Sequence, residues 1–374
     1  MSNYQRYNIQ TFLKEERLFL GITGFVSGNL KLHLPTGVTY VLTTMQVLAS
    51  IYYGLSTTDL AEITAAFMIT LSHINTLNKL FGLHLKSLTQ LDRILVKQIF
   101  ALADDRELTI LKRTLTACHN MLTMYLVTVL GSILLYGATP LVANYTTMER
   151  NYPTLAKFPF NPDDYYWAVF AGEFFIVALS ALSNGCMDRL FAKHVAIATG
   201  LLKILRHKIK QIMDVDDQKV IEAKMKHCVL YYNEVMGYAN QIENQFSFGI
   251  FIQFLCSCIV ICLIEFQVLL ATSSETIGLL LTYLTCMITQ VTIYCWYGHQ
   301  LMEESNSISM EFYDLNWIEM SVKNRKTMLT SKERAKYPIV LKASGVFPLN
   351  LATLMKILRT SYSYFAVLHQ VYTK

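Results

Sequence analysis

Charge is scarce in this chain. Asp, Glu, Lys and Arg make up 16% of its 374 residues, where a soluble domain carries roughly 25%. So little charge could not cover a soluble domain of this size. Its seven prolines and 16 glycines gather into no Pro-, Gly- or Ser-rich linker, and no internal repeat is evident, so one domain, 1–374, is expected. Catalytic signatures are missing as well. The histidines at 33, 73, 84, 119, 194, 207, 227, 299 and 369 form no His-x-x-x-His pair and no carboxylate cluster with metal-ligand spacing. No phosphate-binding glycine loop and no nucleophile elbow occur. An enzyme, a metal site and a cofactor are therefore not expected. The polar start, Met1-Ser-Asn-Tyr-Gln-Arg-Tyr7, argues against a cleavable signal peptide.

What is abundant is apolar surface: 53% of residues are hydrophobic and 12% aromatic. It comes in long blocks without helix or strand alternation. Six of them, 36–53, 61–77, 121–142, 165–182, 246–270 and 277–297, are close to the ~17–25 residues a spanning helix needs. The seventh, 349–374, is interrupted by Lys356 and Arg359 and mixes Ser363, His369 and Gln370 with large apolar residues. Unpaired polar groups are expensive in hydrocarbon, so this helix should line water or an interface. The fold expected is an all-α membrane protein with seven transmembrane helices.

Orientation follows from lysine and arginine. With the N-terminus in the cytoplasm, the inner segments 1–35, 79–119, 186–245 and 298–342 hold 27 Lys and Arg, and the outer ones hold only Arg150, Lys157 and Lys374. That bias places the N-terminus inside and, after seven crossings, the C-terminus outside. It also accounts for the basic runs without nucleic acid. The sole Asn-x-Ser/Thr sequon, Asn144-Tyr145-Thr146, falls in the longest outer loop, which makes Asn144 the glycosylation candidate. None of the eight cysteines lies in an outer loop, so no extracellular disulfide framework is expected, and packing is their natural role. A G-protein-coupled receptor would have its N-terminus outside, putting the basic loops on the wrong face. Its Asp-Arg-Tyr-like and Asn-Pro-x-x-Tyr motifs are absent too.

The inner segments are patterned. Leu201, Leu205, Ile209 and Ile212 share one helical face, and after a helix start at Asp214–Asp217 the stripe resumes with Ile221, Met225, Cys228, Tyr232, Val235 and Ala239. A basic face could simply touch anionic head groups. So regular an apolar stripe favours burial instead, with the fourth and fifth helices continuing below the membrane as a hairpin.

The last third carries a set of motifs in order: Tyr297-Gly298, Glu304-Ser305, Tyr313, Trp317, a basic segment ending at Pro338, Ser344-Gly345 and Ser361-Tyr-Ser-Tyr-Phe365. Together these resemble the insect odorant receptors, over roughly the last 80 residues in motif and over the whole chain in length and loop sizes. The related gustatory receptors end in Thr-Tyr, five apolar residues and Gln-Phe. Here Ser363, His369 and Val371 depart from that pattern, which favours the odorant branch.

The resemblance implies an odorant-gated, non-selective cation channel. Such a subunit is tuned to a small volatile odorant, and it joins a co-receptor in a tetramer without needing a G protein. It would sit in the plasma membrane of an olfactory sensory neuron dendrite. The co-receptor's long insertion between the fourth and fifth helices is absent here, so the chain reads as a tuning subunit. Segments 186–246 and 298–348 would form the cytoplasmic anchor and 349–374 the pore-lining helix. Within that helix Ser363, Val367, Gln370 and Val371 share a face. By the family's pattern Val367 is the hydrophobic constriction, and Gln370 and Val371 line the outer mouth. Depth in the outer half of the bundle gathers a pocket of Met68, Ile69, Ser72, His73, Ile133, Leu134, Tyr136, Gly137, Phe170, Glu173, Phe174, Tyr283 and Met287. Such a lining suits a small apolar molecule, for example an aromatic alcohol, an indole-like compound or a short ketone. Ser72, His73 and Tyr283 are its polar handles. A gustatory-type channel and a transporter are the competing readings; the lack of paired half-repeats argues against the second.

Overall fold

In the computed structural model, which describes residues 12–16, 18, 34–82, 85–102, 104–147 and 150–372, nine long helices account for nearly all of the order. They are α1 (Leu34–Ser56), α2 (Leu60–Gly82), α3 (Leu85–Leu95), α4 (Asp105–Thr147), α5 (Tyr166–Lys210), α6 (Gln218–Leu270), α7 (Ser274–Tyr313), α8 (Val322–Ala335) and α9 (Leu351–Tyr372). A two-stranded antiparallel hairpin, β1 (Lys342–Ala343) and β2 (Phe347–Pro348), precedes α9. Most of the segment before residue 34, assigned to the cytoplasm above, lies outside the described residues.

Four helices are far longer than a bilayer requires: α4, α5, α6 and α7 run to 43, 45, 53 and 40 residues. At 1.5 Å per residue each spans the ~30 Å hydrocarbon core and continues roughly 30 Å or more beyond it. Those four and α2 are both long and apolar enough to cross a membrane. At 23 and 22 residues, α1 and α9 are of bilayer length. In the bundle α4 packs along α5 and α5 along α7, while α2 contacts both α1 and α6, and α9 lies against α6 and α7.

Polar caps set where several helices begin. Asp217 accepts from the Lys219 N–H at the start of α6, Ser273 from Thr276 at α7, and Ser321 from Asn324 at α8. The apolar stripe does the rest. All ten of its residues, from Leu201 to Ala239, are at most 4% exposed, so α5 and α6 pack as a hairpin with the stripe inside. His194 and the Tyr238 hydroxyl share a hydrogen bond of 2.7 Å inside it. All eight cysteines are free and six are buried. Burial pushes the Cys228 thiol up to about 12, which keeps it protonated and inert.

Ion pairs tie distant segments to this frame. Lys193, 1% exposed, meets the Glu16 carboxylate at 2.6 Å and the Phe12 carbonyl at 2.6 Å, and Arg189 reaches Glu16 at 3.0 Å. These contacts hold the turn at 12–16 against α5. Arg206 bridges to Glu304 and Glu311 of α7 at 2.9 and 3.0 Å.

The motifs of the last third turn out to be joints. The buried Ser305 hydroxyl accepts from the Ile339 N–H just after Pro338, and Glu304 holds Arg206. Ser344 and Gly345 both have positive φ, 50° and 71°, closing the hairpin turn with a Val346 N–H to Ala343 carbonyl bond of 3.0 Å. Glycine takes that conformation without a steric penalty. Ser247 and Glu243 of α6 bond the hairpin backbone at Lys342 and Ser344. Gly298 exists because Leu349 crosses it: a Cβ there would strike the Leu349 carbonyl. Gly298→Ala should therefore shift the start of α9 and cost about 1–3 kcal/mol. Thermal unfolding of the detergent-solubilised protein reads this, and an unchanged midpoint would refute the close approach.

Candidate functional site

A cavity of about 150 Å³ opens between α2, α4, α5, α6 and α7. Met68, Ile69, Ser72 and His73 come from α2, Ile133 and Tyr136 from α4, and Tyr283 and Met287 from α7. These are eight of the thirteen pocket candidates named from depth. The volume matches an engineered 150 Å³ cavity that accepts one benzene ring.

The other five candidates lie elsewhere. Leu134 is 68% exposed on the outer surface of α4. Gly137 and Phe174 serve packing, since a Cβ at Gly137 would collide with the Phe174 ring. Phe170 belongs to an aromatic cluster with Tyr166 and Trp167, centroids 5.9 and 6.2 Å away. Glu173 is buried, as an ionisable group in a crossing should be, but its carboxylate faces the outer loop. It accepts from the Thr154 hydroxyl at 2.5 Å and the Thr154 N–H at 3.2 Å, and Gln46 of α1 donates to the same hydroxyl at 2.7 Å. Depth alone grouped these residues with the cavity wall, and none of the five lines it.

Lining residues that sequence reasoning missed include Asn75, Tyr125, Ser180, Asn184, Cys256, Val260 and Gln290. Two of them, Cys256 and Val260, come from α6, which depth left out of the pocket. Asn75, Asn184 and Gln290 interrupt apolar runs, and that interruption is the signal that could have found them.

The polar members are organised. His73 Nδ1 and the Ser180 hydroxyl are 3.2 Å apart, and the Ser72 and Tyr283 hydroxyls bond each other. On the inner side of the cavity lies a buried knot centred on Asp188, which is fully enclosed. Its carboxylate accepts from Lys79 of α2, Tyr125 of α4, Gln290 and Tyr294 of α7. Because a carboxylate only accepts, Gln290 must present its amide N–H₂ to Asp188, leaving its carbonyl to Gln253 Nε2 at 3.0 Å. Gln253 in turn offers its own carbonyl to Asn75 Nδ2. One directed chain thus runs from the cavity wall at Asn75 to a charge that joins four helices. Lys79, counted above with the basic residues of an inner segment, is buried here as the partner of Asp188. No group of three His, Cys, Asp or Glu side chains suited to a metal occurs among the described residues.

The candidate pore face is on α9. Ser363, Val367, Gln370 and Val371 are all exposed on the single chain, with Val367 and Val371 at 61% and 67%. Thr353 and Ser361 are the buried positions of this helix. Asn144 sits near the end of α4 rather than in an open loop. Its amide nitrogen bonds the Asn151 carbonyl and the Tyr166 hydroxyl, and its oxygen takes the Asn151 N–H. A glycan on that nitrogen would have to displace these partners.

A helical bundle with several membrane-length helices and an apolar cavity between five of its helices defines the class, a polytopic membrane protein. The chain belongs to the 7tm odorant receptor family, whose model matches residues 59–362. It is 25% identical over 338 residues to the inferred odorant receptor 92a of Drosophila melanogaster, covering 86% of this chain and 82% of that one. It is 22% identical over 216 residues to odorant receptor 30a of the same species, 56% of this chain and 57% of the other. Among solved structures, the insect olfactory receptor OR5 of Machilis hrabei in complex with eugenol has the same fold. The TM-score is 0.84 at 16% identity, over 99% of this chain and 100% of that one. A second structure of the same receptor gives 0.81 at 17% identity, with the same coverage.

Proposed function

We propose that the chain is the odorant-binding subunit of a ligand-gated, non-selective cation channel, assembled with a co-receptor around a shared pore. The observation that carries this is the cavity between five helices, apolar with a few polar handles and sized for a small volatile molecule. The complex of OR5 with eugenol supports a small-molecule occupant. In this reading α9 lines the pore and Val367 closes it by dewetting. The cytoplasmic continuations of α4 to α7 form the anchor, with 186–246 and 298–348 as its main segments. The N-terminus is cytoplasmic and the C-terminus extracellular, as the basic bias requires, in the plasma membrane of an olfactory neuron dendrite.

Filling the cavity tests this directly. Met287, 6% exposed on its wall, replaced by tryptophan should raise the half-maximal concentration of every agonist by at least about tenfold, a loss of about 1.4 kcal/mol of binding. Currents are to be recorded with and without a co-receptor, with G-protein signalling blocked. Unaltered dose–response curves at normal surface expression would move the ligand site elsewhere. Current without any co-receptor would favour the gustatory type.

A further inference from the structure

Two hydroxyls on the cavity wall have unequal prospects, and their hydrogen-bond accounting specifies a ligand. The Ser72 hydroxyl lies 2.9 Å from the Met68 carbonyl, which can only accept, so the Ser72 proton is committed there. Its partnership with Tyr283 must then run the other way: the Tyr283 O–H donates to the Ser72 oxygen. Tyr283 is left with a free lone pair and no proton to give. Tyr136 is the complement. Its hydroxyl is buried, lines the same cavity and has no hydrogen-bond partner among the described residues. A buried hydroxyl in that state is costly to leave unmade. In a space of about 150 Å³ the cavity therefore presents an unused donor, Tyr136, and beside it unused acceptors: the Tyr283 oxygen and the unpartnered amide oxygens of Asn75 and Asn184.

Resting on the reading of this cavity as the odorant site, the geometry points to hydroxyl-bearing odorants of about one ring as its ligand class, with Tyr136 the residue that selects them. An alcohol or phenol takes the Tyr136 proton on its oxygen and gives its own to Tyr283. A carbonyl compound satisfies Tyr136 alone. A hydrocarbon of equal shape satisfies neither, and it seals the Tyr136 hydroxyl away from water. A site built around such a group discriminates against the analogue that lacks it.

Benzyl alcohol, benzaldehyde and ethylbenzene are suitable probes, applied to the receptor co-expressed with a co-receptor. Benzyl alcohol should be about tenfold more potent than ethylbenzene, the equivalent of one net hydrogen bond, with benzaldehyde between them. Tyr136→Phe should collapse the ratio to within about twofold, with ethylbenzene gaining potency because no hydroxyl is then sealed beneath it. That variant should fold normally, because it deletes an unsatisfied group. Ser72→Ala has the opposite signature. It releases the Tyr283 proton, creates a second donor and should move benzaldehyde several-fold toward or past benzyl alcohol. If Met287→Trp silences benzyl alcohol but Tyr136→Phe leaves the ratio unchanged, the cavity is the odorant site and the hydroxyl assignment is wrong. If Met287→Trp changes nothing, both readings fall. A wild-type receptor that ignores benzyl alcohol and 3-methylphenol while answering other volatiles also overturns the assignment.

Discussion

Asp188→Ala should remove most of the receptor from the cell surface. The substitution takes one acceptor from four donors at once. Lys79, 5% exposed, loses its only described carboxylate, and the Tyr125, Tyr294 and Gln290 donors all lose Asp188. Breaking a buried ion pair from one side costs about 3–5 kcal/mol, and each orphaned neutral donor adds about 1–3 kcal/mol before relaxation. That total rivals the whole stability of an ordinary domain. Lys79→Met should hurt less, because Asp188 keeps three neutral donors. The double variant Lys79→Met/Asp188→Asn should regain part of the loss, since neither charge is then left alone. Surface labelling and thermal unfolding of the solubilised protein measure the series. An Asp188→Ala receptor that reaches the surface and melts like the wild type would show that the knot contributes nothing.

This knot also marks where the sequence stops being readable. Its members come from four helices and are separated by up to 215 positions in sequence, from Lys79 to Tyr294, and the hydroxyls of Ser72 and Tyr283 above it by 211. Hydropathy reports how deep a residue lies, and depth gathered Met68, Ile69, Ser72, His73, Ile133, Tyr136, Tyr283 and Met287, which line one cavity. It does not report which way a helix turns. Leu134 and Tyr136 are two residues apart, and one faces outward while the other lines the cavity. Glu173 was recognisable as a buried ionisable group, but its partner Thr154 belongs to a loop whose return path no periodicity encodes. The helical extensions were legible for the opposite reason. A stripe from Leu201 to Ala239 is a local pattern, and burial at helical spacing is what it predicts. The lower part of α4 carries the same signal in Leu111, Leu115, Cys118 and Leu122, each at most 2% exposed. There the long apolar block starting at Met121 drew attention away from the weaker stripe before it.

On the proposed reading of α9 as the pore-lining helix, Val367→Asp is expected to open the channel without odorant. On the single chain α9 is held along one narrow line, with Thr353 and Ser361 buried and nearly everything else from Tyr362 onward exposed. The exposed surface mixes Lys356, Arg359 and Ser363 with Val367 and Val371. Lipid would penalise that mixture, whereas neighbouring subunits and a water-filled axis would not. A ring of valines closes a pore by expelling water, and a carboxylate at that level keeps water in place. Basal current should therefore rise several-fold over wild type in cells that also express a co-receptor, while Val367→Leu should stay shut. A lipid-facing Val367 gives the reverse outcome. A charge there costs about 2.5–3.5 kcal/mol of insertion, so Val367→Asp would lower surface expression and leave basal current per surface receptor unchanged. The sign of the change in basal current, normalised to surface protein, decides whether this face of α9 meets ions or acyl chains.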